Sequence, residues 1–325
     1  MDQSLLGMIE HVTILRTQEE NTYKCVDYLS PGYQQAQQAR GAVTPSSCLG
    51  PISPASSFMN ETWREKICEW SYNIVDYFNY DRELVFVCMN YLDRYAMKRR
   101  VDTKTYQLAA MTSLFIVMKI YEPRSSSRLL DVSSLTKLSQ STFDERSILA
   151  MEREMLQTLQ WHLYPPTSRR FTIYLSNFLS SVSSSDTINI PPPPGAKAIE
   201  EVNELARFFT ELSVCDYFYV THNASTIGLA SLLNAIDVVG EDEFPPEYKL
   251  QFIQIVHYET GLNAYSNNSK QCRTRLHATF IQGGFSKQSG SSSAPSSHTN
   301  KNSSDDPRLI NEEIPSPICV SGSTI

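Results

Sequence analysis

The stretch VDTKTYQLAAMTSLFIVMKIYE, residues 101–122, decides the fold. Its centre, LAAMTSLFIVM at 108–118, contains no charge, glycine or proline, and only one threonine and one serine are polar. A run of this length is too short to cross a bilayer, which takes about 20 apolar residues. Asp102 can cap its start and Pro123 follows its end, so the stretch predicts a helix that is apolar on nearly all sides. Such a helix has to be surrounded by others, which predicts a helical bundle.

Further helices are predicted on both sides of this stretch from apolar residues at helical spacing. Those of a first unit lie at about 61–79, 82–97, 132–138 and 142–160, and those of a second at about 171–179, 198–212, 222–235, 246–258 and 267–281. The predicted fold class is therefore all-α, with two tandem five-helix units.

Composition divides the chain further. Residues 1–57 are expected to hold an N-terminal helix within 3–28, a break at Ser30-Pro31-Gly32 and then a flexible connector, because the sequence from 34 onward is rich in Gln, Ala, Ser and Pro. Residues 58–166 form the first predicted unit and 167–285 the second. Residues 286–325 are rich in serine and are expected to be a disordered tail.

The overall composition excludes several classes of function. A net charge of −7 over 325 residues disfavours a nucleic-acid-binding face, and the sequence shows neither a signal peptide nor a span long enough for a membrane. Seven cysteines without CxxC spacing indicate an intracellular protein with reduced thiols and no zinc site. No catalytic motif, cofactor fingerprint or metal-ligand cluster occurs. We expect a soluble non-enzyme without cofactor or metal, which binds neither nucleic acid nor membrane.

Two charged residues occupy apolar stripes of the first two helices of the first unit. Arg64 lies early in the first helix, and Asp93 lies among the apolar residues of the second. Because a buried charge is costly unless it is paired, these residues predict an Arg64–Asp93 salt bridge that fixes how the two helices pack.

Two further charged residues lie on the central helix and on the last helix of the first unit. Lys119 follows the apolar run of the central helix, and Glu152 lies on the inward stripe of the last helix of the unit. One interpretation is that Lys119 is a cation at a helix C-terminus and Glu152 a solvated carboxylate. The other is that the two come together and hold the backbone of a partner protein.

Four motifs, in order and spacing, resemble the cyclin box: WREKICEW at 63–70, NYLDRY at 90–95, YQLAAMTSLFIVMKIYE at 106–122 and ILAMEREMLQTLQWHLYPPT at 148–167. The chain is identified as similar to the cyclin family, and its second unit resembles the C-terminal cyclin fold. The resemblance implies a regulatory subunit that forms a heterodimer with a cyclin-dependent kinase.

The family's functional residues can be placed on this sequence one by one. Lys119 and Glu152 fall on the two charged kinase-binding positions, and Leu156 falls on an apolar one. Arg64 and Asp93 fall on the family's structural salt bridge. The groove that docks RxL-type substrates and inhibitors corresponds to Trp63, Ile67, Trp70 and Gln107. Trp63 departs from the methionine usual at its position, and its larger ring could fill part of the groove.

The implied function is kinase activation and substrate selection during cell-cycle progression. NYLDRY and LQWHL resemble D-type (G1) cyclins more than mitotic ones, which implies the G1/S transition and a location in nucleus and cytoplasm. The alternative is a cyclin-fold adaptor, or a signalling or transcription-type cyclin that does not drive the cell cycle.

Overall fold

A computed structural model describes residues 3–39, 59–121, 131–181 and 194–284. The predicted connector beyond residue 39 and the predicted tail at 286–325 lie outside the described residues. Within the described ranges the chain forms no β-strand, which confirms the all-α prediction. None of the helices in these ranges is both long and apolar enough to cross a membrane.

The described residues form twelve α-helices, and a short 3-10 helix, Tyr217–Thr221, precedes the tenth. In chain order they are α1 Gln3–Asn21, α2 Pro31–Ala39, α3 Glu61–Tyr77, α4 Glu83–Lys98, α5 Thr103–Tyr121, α6 Val132–Leu138, α7 Glu145–Thr158, α8 Ser168–Ser181, α9 Ala196–Cys215, α10 Ala224–Val239, α11 Pro246–Thr260 and α12 Asn267–Gln282. One hydrophobic core is built mainly from α3–α7 and a second from α8–α12. α9 of the second unit also contacts α3 and α4 of the first.

Helix α5 lies at the centre of the first unit, as its composition predicts. Every residue from 105 to 118 is buried. The two polar side chains of the 108–118 run find partners nearby: the Thr112 hydroxyl donates to the Leu108 carbonyl at 2.8 Å, and Ser113 Oγ lies 3.8 Å from Met155 Sδ on α7. The Asp102 side chain accepts a hydrogen bond from the Thr105 amide at 2.8 Å, so it caps the helix start.

Helix α10 takes the corresponding central place in the second unit. It packs against α8, α9 and α12, and Gly228 allows a close approach to α8. A Cβ atom at this glycine would lie 2.8 Å from the Phe171 Cβ and 2.8 Å from the Ser168 carbonyl oxygen. The glycine therefore sets the spacing of the two helices.

Gly228→Ala is expected to destabilise the protein by about 1–3 kcal/mol, because the added methyl group forces two packed backbones apart. The measurement is urea unfolding followed by circular dichroism. Gly7→Ala in α1 is the matched control: a Cβ there meets nothing within 4 Å, so alanine should stabilise that helix by up to about 1 kcal/mol. A Gly228→Ala protein as stable as wild type would show that α8 moves away without cost.

Helix α1 packs against the second unit, although it precedes the first in sequence. Val12 and Leu15 lie in a small apolar cluster with Phe171 of α8 and Ala224 of α10. Close by, the buried Glu19 carboxyl accepts a hydrogen bond from the Ser225 amide at 2.9 Å and contacts the Ser225 hydroxyl. The α1 helix thus fastens to the N-terminal end of α10.

Helix α2 corrects one prediction. The sequence Ser30-Pro31-Gly32 suggested a helix break followed from residue 34 by a flexible connector, yet a helix begins at Pro31 and runs to Ala39. Proline has no N–H to leave unpaired and its fixed φ suits the first helical position, so here it starts a helix. The Ser30 carbonyl accepts the first helical hydrogen bond, from the Gln34 amide at 3.1 Å.

Candidate functional site

The structure brings Lys119 and Glu152 together on the surface of the first unit. Lys119 Nζ lies 2.5 Å from Glu152 Oε1, and Nζ also lies 4.7 Å from the ring centre of Phe115, one turn earlier on α5. The Lys119 side chain is 47% exposed and that of Glu152 12% exposed. The pair therefore presents a positive and a negative charge side by side, with Lys119 the more accessible.

Helix α4 holds the C-terminal end of α7, the helix that carries Glu152. The Arg94 guanidinium donates to the carbonyls of His162 at 2.9 Å and Leu159 at 3.2 Å. Lys98 donates to the Thr158 carbonyl at 3.0 Å. These cations hold carbonyls of the last residue of α7 and of the turn that follows it. At its start, the Asp144 side chain accepts from the Ser147 amide at 2.8 Å. Both ends of α7 are fixed, which fixes the position of Glu152.

The Lys119–Glu152 pair contributes little to the stability of the isolated protein. An ion pair with one half-exposed partner is typically worth about 0–1 kcal/mol, because water screens the attraction. The pair is therefore poorly explained as a structural element. Its charges become energetically important when a partner covers them and excludes the water.

An apolar surface adjoins the charged pair. Leu149 and Leu156 lie on the same face of α7 as Glu152, at helical spacing of three and four residues. Leu149 is 47% exposed, and Leu156 is partly buried against the core of the first unit. Leu149 thus gives this surface an apolar contact beside the two charges. Leu149 was not among the predicted site residues, although its place on the same face of α7 as Glu152 could have indicated it.

The structure also places Arg64 and Asp93 in contact, and both side chains are almost fully buried. The guanidinium meets the carboxylate with two hydrogen bonds, Nε to Oδ1 at 2.8 Å and Nη2 to Oδ2 at 2.9 Å. Burial by itself would lower the pKa of Arg64, but the Asp93 charge and these hydrogen bonds hold it well above its ordinary value. The arginine is therefore charged at every accessible pH.

The Arg64–Asp93 pair contacts segments other than α3 and α4, the two helices on which it was predicted. Arg64 Nη1 donates to the Val214 carbonyl at 2.8 Å and the Cys215 carbonyl at 3.2 Å, both at the end of α9. The Tyr28 hydroxyl, from the segment between α1 and α2, donates to Asp93 at 2.8 Å. The network thus connects α3, α4, the N-terminal segment and the second unit. Sequence reasoning could not find Tyr28, because no local pattern links it to a residue so far along the chain.

The four predicted groove residues are mostly inaccessible. Ile67 and Trp70 are buried in the first core, Trp70 with only 1% exposed, and Gln107 is buried as well. Trp63 is partly exposed and packs against the same core. A docking groove at this position stays a prediction. Of the four residues, Trp63 is the one that a bound peptide could contact.

Comparison with known proteins gives the family. Residues 13–164 match the family model for the cyclin N-terminal domain. The G1/S-specific cyclin CCN1 of Candida albicans (strain SC5314 / ATCC MYA-2876) is 33% identical over 153 residues, 46% of this chain and 22% of the relative. The G2/mitotic-specific cyclin-A of Patella vulgata is 25% identical over 252 residues, 74% of this chain and 52% of the relative. The chain thus spans only about a fifth to a half of these two relatives.

A solved structure supports the fold. The X-ray structure of a viral cyclin from herpesvirus saimiri matches with a TM-score of 0.53 at 19% identity, covering 70% of this chain and 89% of that one. The all-α architecture, the buried central helix and the matched domain agree with one another. Residues 13–164, just under half of the chain, belong to the cyclin N-terminal domain family.

Proposed function

We propose that this protein binds a cyclin-dependent serine/threonine kinase and activates it, without contributing a catalytic group. The observation that carries the proposal is the Lys119–Glu152 pair, held at 2.5 Å on rigid helices and exposed beside Leu149. It lies in the first predicted unit, 58–166, within the matched cyclin domain.

The chemistry of the pair suits a protein backbone. The Lys119 ammonium can donate to a carbonyl oxygen, and the Glu152 carboxylate can accept from an amide N–H. Leu149 and Leu156 offer an apolar surface beside them. A kinase becomes active when the glutamate of its αC helix pairs with the β3 lysine. A rigid surface that binds this helix from outside would stabilise the active position.

The test is a binding and activity measurement with the full chain. Tagged wild-type protein and a Lys119→Ala/Glu152→Ala variant are purified from cells, and bound kinases are identified by mass spectrometry and assayed on histone and retinoblastoma-type substrates. Truncating one member of a covered charge pair typically costs about 2–5 kcal/mol. We expect the variant to retain less than about one tenth of the kinase and its activity, with an unchanged melting temperature.

A matched control removes another surface ion pair, Lys249 with Asp237, in the second unit. The Lys249→Ala/Asp237→Ala variant should retain kinase at the wild-type level. Equal kinase recovery with all three proteins would show that the kinase does not bind through Lys119 and Glu152. Absence of kinase from all three would overturn the proposal and favour a cyclin-fold adaptor.

We further propose action at the G1/S transition, in nucleus and cytoplasm. The motifs NYLDRY and LQWHL and the similarity to a G1/S-specific cyclin support this proposal, although the Patella relative is mitotic. Protein level and location are to be measured by microscopy in synchronised cells. Accumulation before DNA replication is expected, and a maximum at mitosis would contradict the proposed stage.

A further inference from the structure

Two cysteines that lie 147 residues apart in sequence meet where the two units join. Cys68 is on α3 in the first unit, and Cys215 is the last residue of α9 in the second. Their sulfur atoms are 3.1 Å apart, and both residues are free thiols. A disulfide bond is about 2.05 Å long, so a displacement of about 1 Å would bond the two atoms.

We propose that Cys68 and Cys215 form a reversible disulfide upon exposure to peroxide, and that this bond links the two units covalently. The proposal does not depend on the kinase-binding function.

The two thiols differ in a way that assigns their roles. Cys215 is partly exposed, whereas Cys68 is fully buried. The pKa of Cys215 lies below its ordinary value because of its hydrogen bond with Cys68 and the nearby charge of Arg64, although burial and the carboxylates of Glu65 and Glu69 oppose this. Burial raises the pKa of Cys68 well above its ordinary value. Cys215 is thus the thiol that peroxide can reach and the one that ionises more easily.

The chemistry balances in two steps. The Cys215 thiolate attacks hydrogen peroxide, which gives a sulfenic acid on Cys215 and releases hydroxide. The Cys68 sulfur then attacks the Cys215 sulfur, the S–S bond forms, the S–OH bond breaks, and the thiol proton leaves with the hydroxyl group as water. Two thiols are oxidised and one peroxide is reduced. A small-molecule dithiol reverses the bond by exchange.

Hydrogen bonds close to the two cysteines hold Cys68 and Cys215 near each other. Arg64, one helical turn before Cys68, donates hydrogen bonds to the Val214 and Cys215 carbonyls. The end of α9 is therefore held against α3 in the reduced protein, and oxidation adds a covalent bond to an interface that already exists. A disulfide between residues 147 positions apart closes a large loop, which lowers the conformational entropy of the unfolded chain.

The test uses the purified full chain, first reduced and then exposed to hydrogen peroxide. Digestion without reductant and mass spectrometry should recover a Cys68–Cys215 linked peptide at least tenfold above its level in the reduced protein, and Cys215→Ser should yield none. The melting temperature of the wild type should rise by roughly 5 °C or more and return after dithiothreitol. The Cys88→Ala control, which removes another buried thiol of the first unit, should form the link like wild type.

Two results would overturn the proposal. One is sulfinic acid on Cys215 with Cys68 left as a thiol, and the other is a disulfide that joins either residue to a different cysteine. Cys215 is partly exposed, so Cys215→Ser is expected to fold even if a substitution at the buried Cys68 does not. The linked peptide in the wild type can be measured in either case.

Discussion

Asp93→Ala is expected to destabilise the folded protein by about 3–5 kcal/mol, because it leaves the buried Arg64 without its counter-charge. Arg64 is 4% exposed, so water cannot take the place of the carboxylate. The substitution also leaves the Tyr28 hydroxyl without the acceptor that it contacts at 2.8 Å. The measurement is chemical unfolding of the full chain, monitored by circular dichroism and tryptophan fluorescence.

Two further variants distinguish the effect of the unpaired Arg64 charge on stability from the effect of losing the Tyr28 hydrogen bond. Tyr28→Phe removes only the hydroxyl and should cost about 1–2 kcal/mol. Arg64→Met/Asp93→Leu removes both charges and should be more stable than Asp93→Ala, because no unpaired charge remains in the core. If Asp93→Ala cost less than about 1 kcal/mol, Arg64 would have to reach water by a local opening, and the ion pair would not connect the two units.

The stability of the protein is expected to depend on pH through Glu19. This carboxyl is 5% exposed, and burial raises its pKa from 4.5 to about 7, although the hydrogen bonds from Ser225 and the charge of Arg16 act in the opposite direction. The neighbouring Glu20 adds a smaller repulsion. The docked protein therefore binds a proton between pH 4.5 and 7 that the undocked chain has released.

It follows that α1 docks most firmly below about pH 4.5 and loses about 3 kcal/mol of docking free energy as the pH rises to 7 and above. Hydrogen exchange of the α1 amides at pH 5.5 and 8 measures this change. Glu19→Gln should strengthen docking at pH 8 and abolish the dependence, because an amide can accept from the Ser225 amide and donate to its hydroxyl. Glu20→Gln is the control and should leave the dependence in place. A wild type whose α1 protection is the same at both pH values would show that Glu19 is ionised in the docked state.

The sequence predicted well those features that depend on a pattern within one helix. The uncharged run at 108–118 predicted α5 because a fully apolar helix has only one stable place, the centre of a bundle. Arg64 and Asp93 were expected to meet because each occupied an apolar stripe, and the structure places them in contact. For Lys119 and Glu152 the sequence left two interpretations open; the structure shows their side chains in contact, whereas their kinase-binding role stays a proposal.

What the sequence did not indicate depends on contacts between distant segments. Cys68 lies in an ordinary helical pattern and Cys215 lies beyond the predicted end of its helix, and only the packing of α9 on α3 brings their sulfur atoms together. Tyr28 and Glu19 lie in a segment whose weak amphipathicity gives no direction of packing. Helix α2 was missed for a different reason, because Pro31 was interpreted as a helix breaker where its position makes it a helix start.

The packing of α1 on the second unit has a consequence for the order of folding. Glu19 and its partner Ser225 are 206 residues apart, so α1 is synthesised well before the helix that it binds. At about 5–20 residues per second, the ribosome needs roughly 10–40 s to make the chain between them. A helix forms within about a microsecond, so α1 docking is limited by synthesis time and not by helix formation. During that interval Val12 and Leu15 lack their contacts with Phe171 and Ala224, and α1 reaches its final position only after most of the first unit has had time to fold.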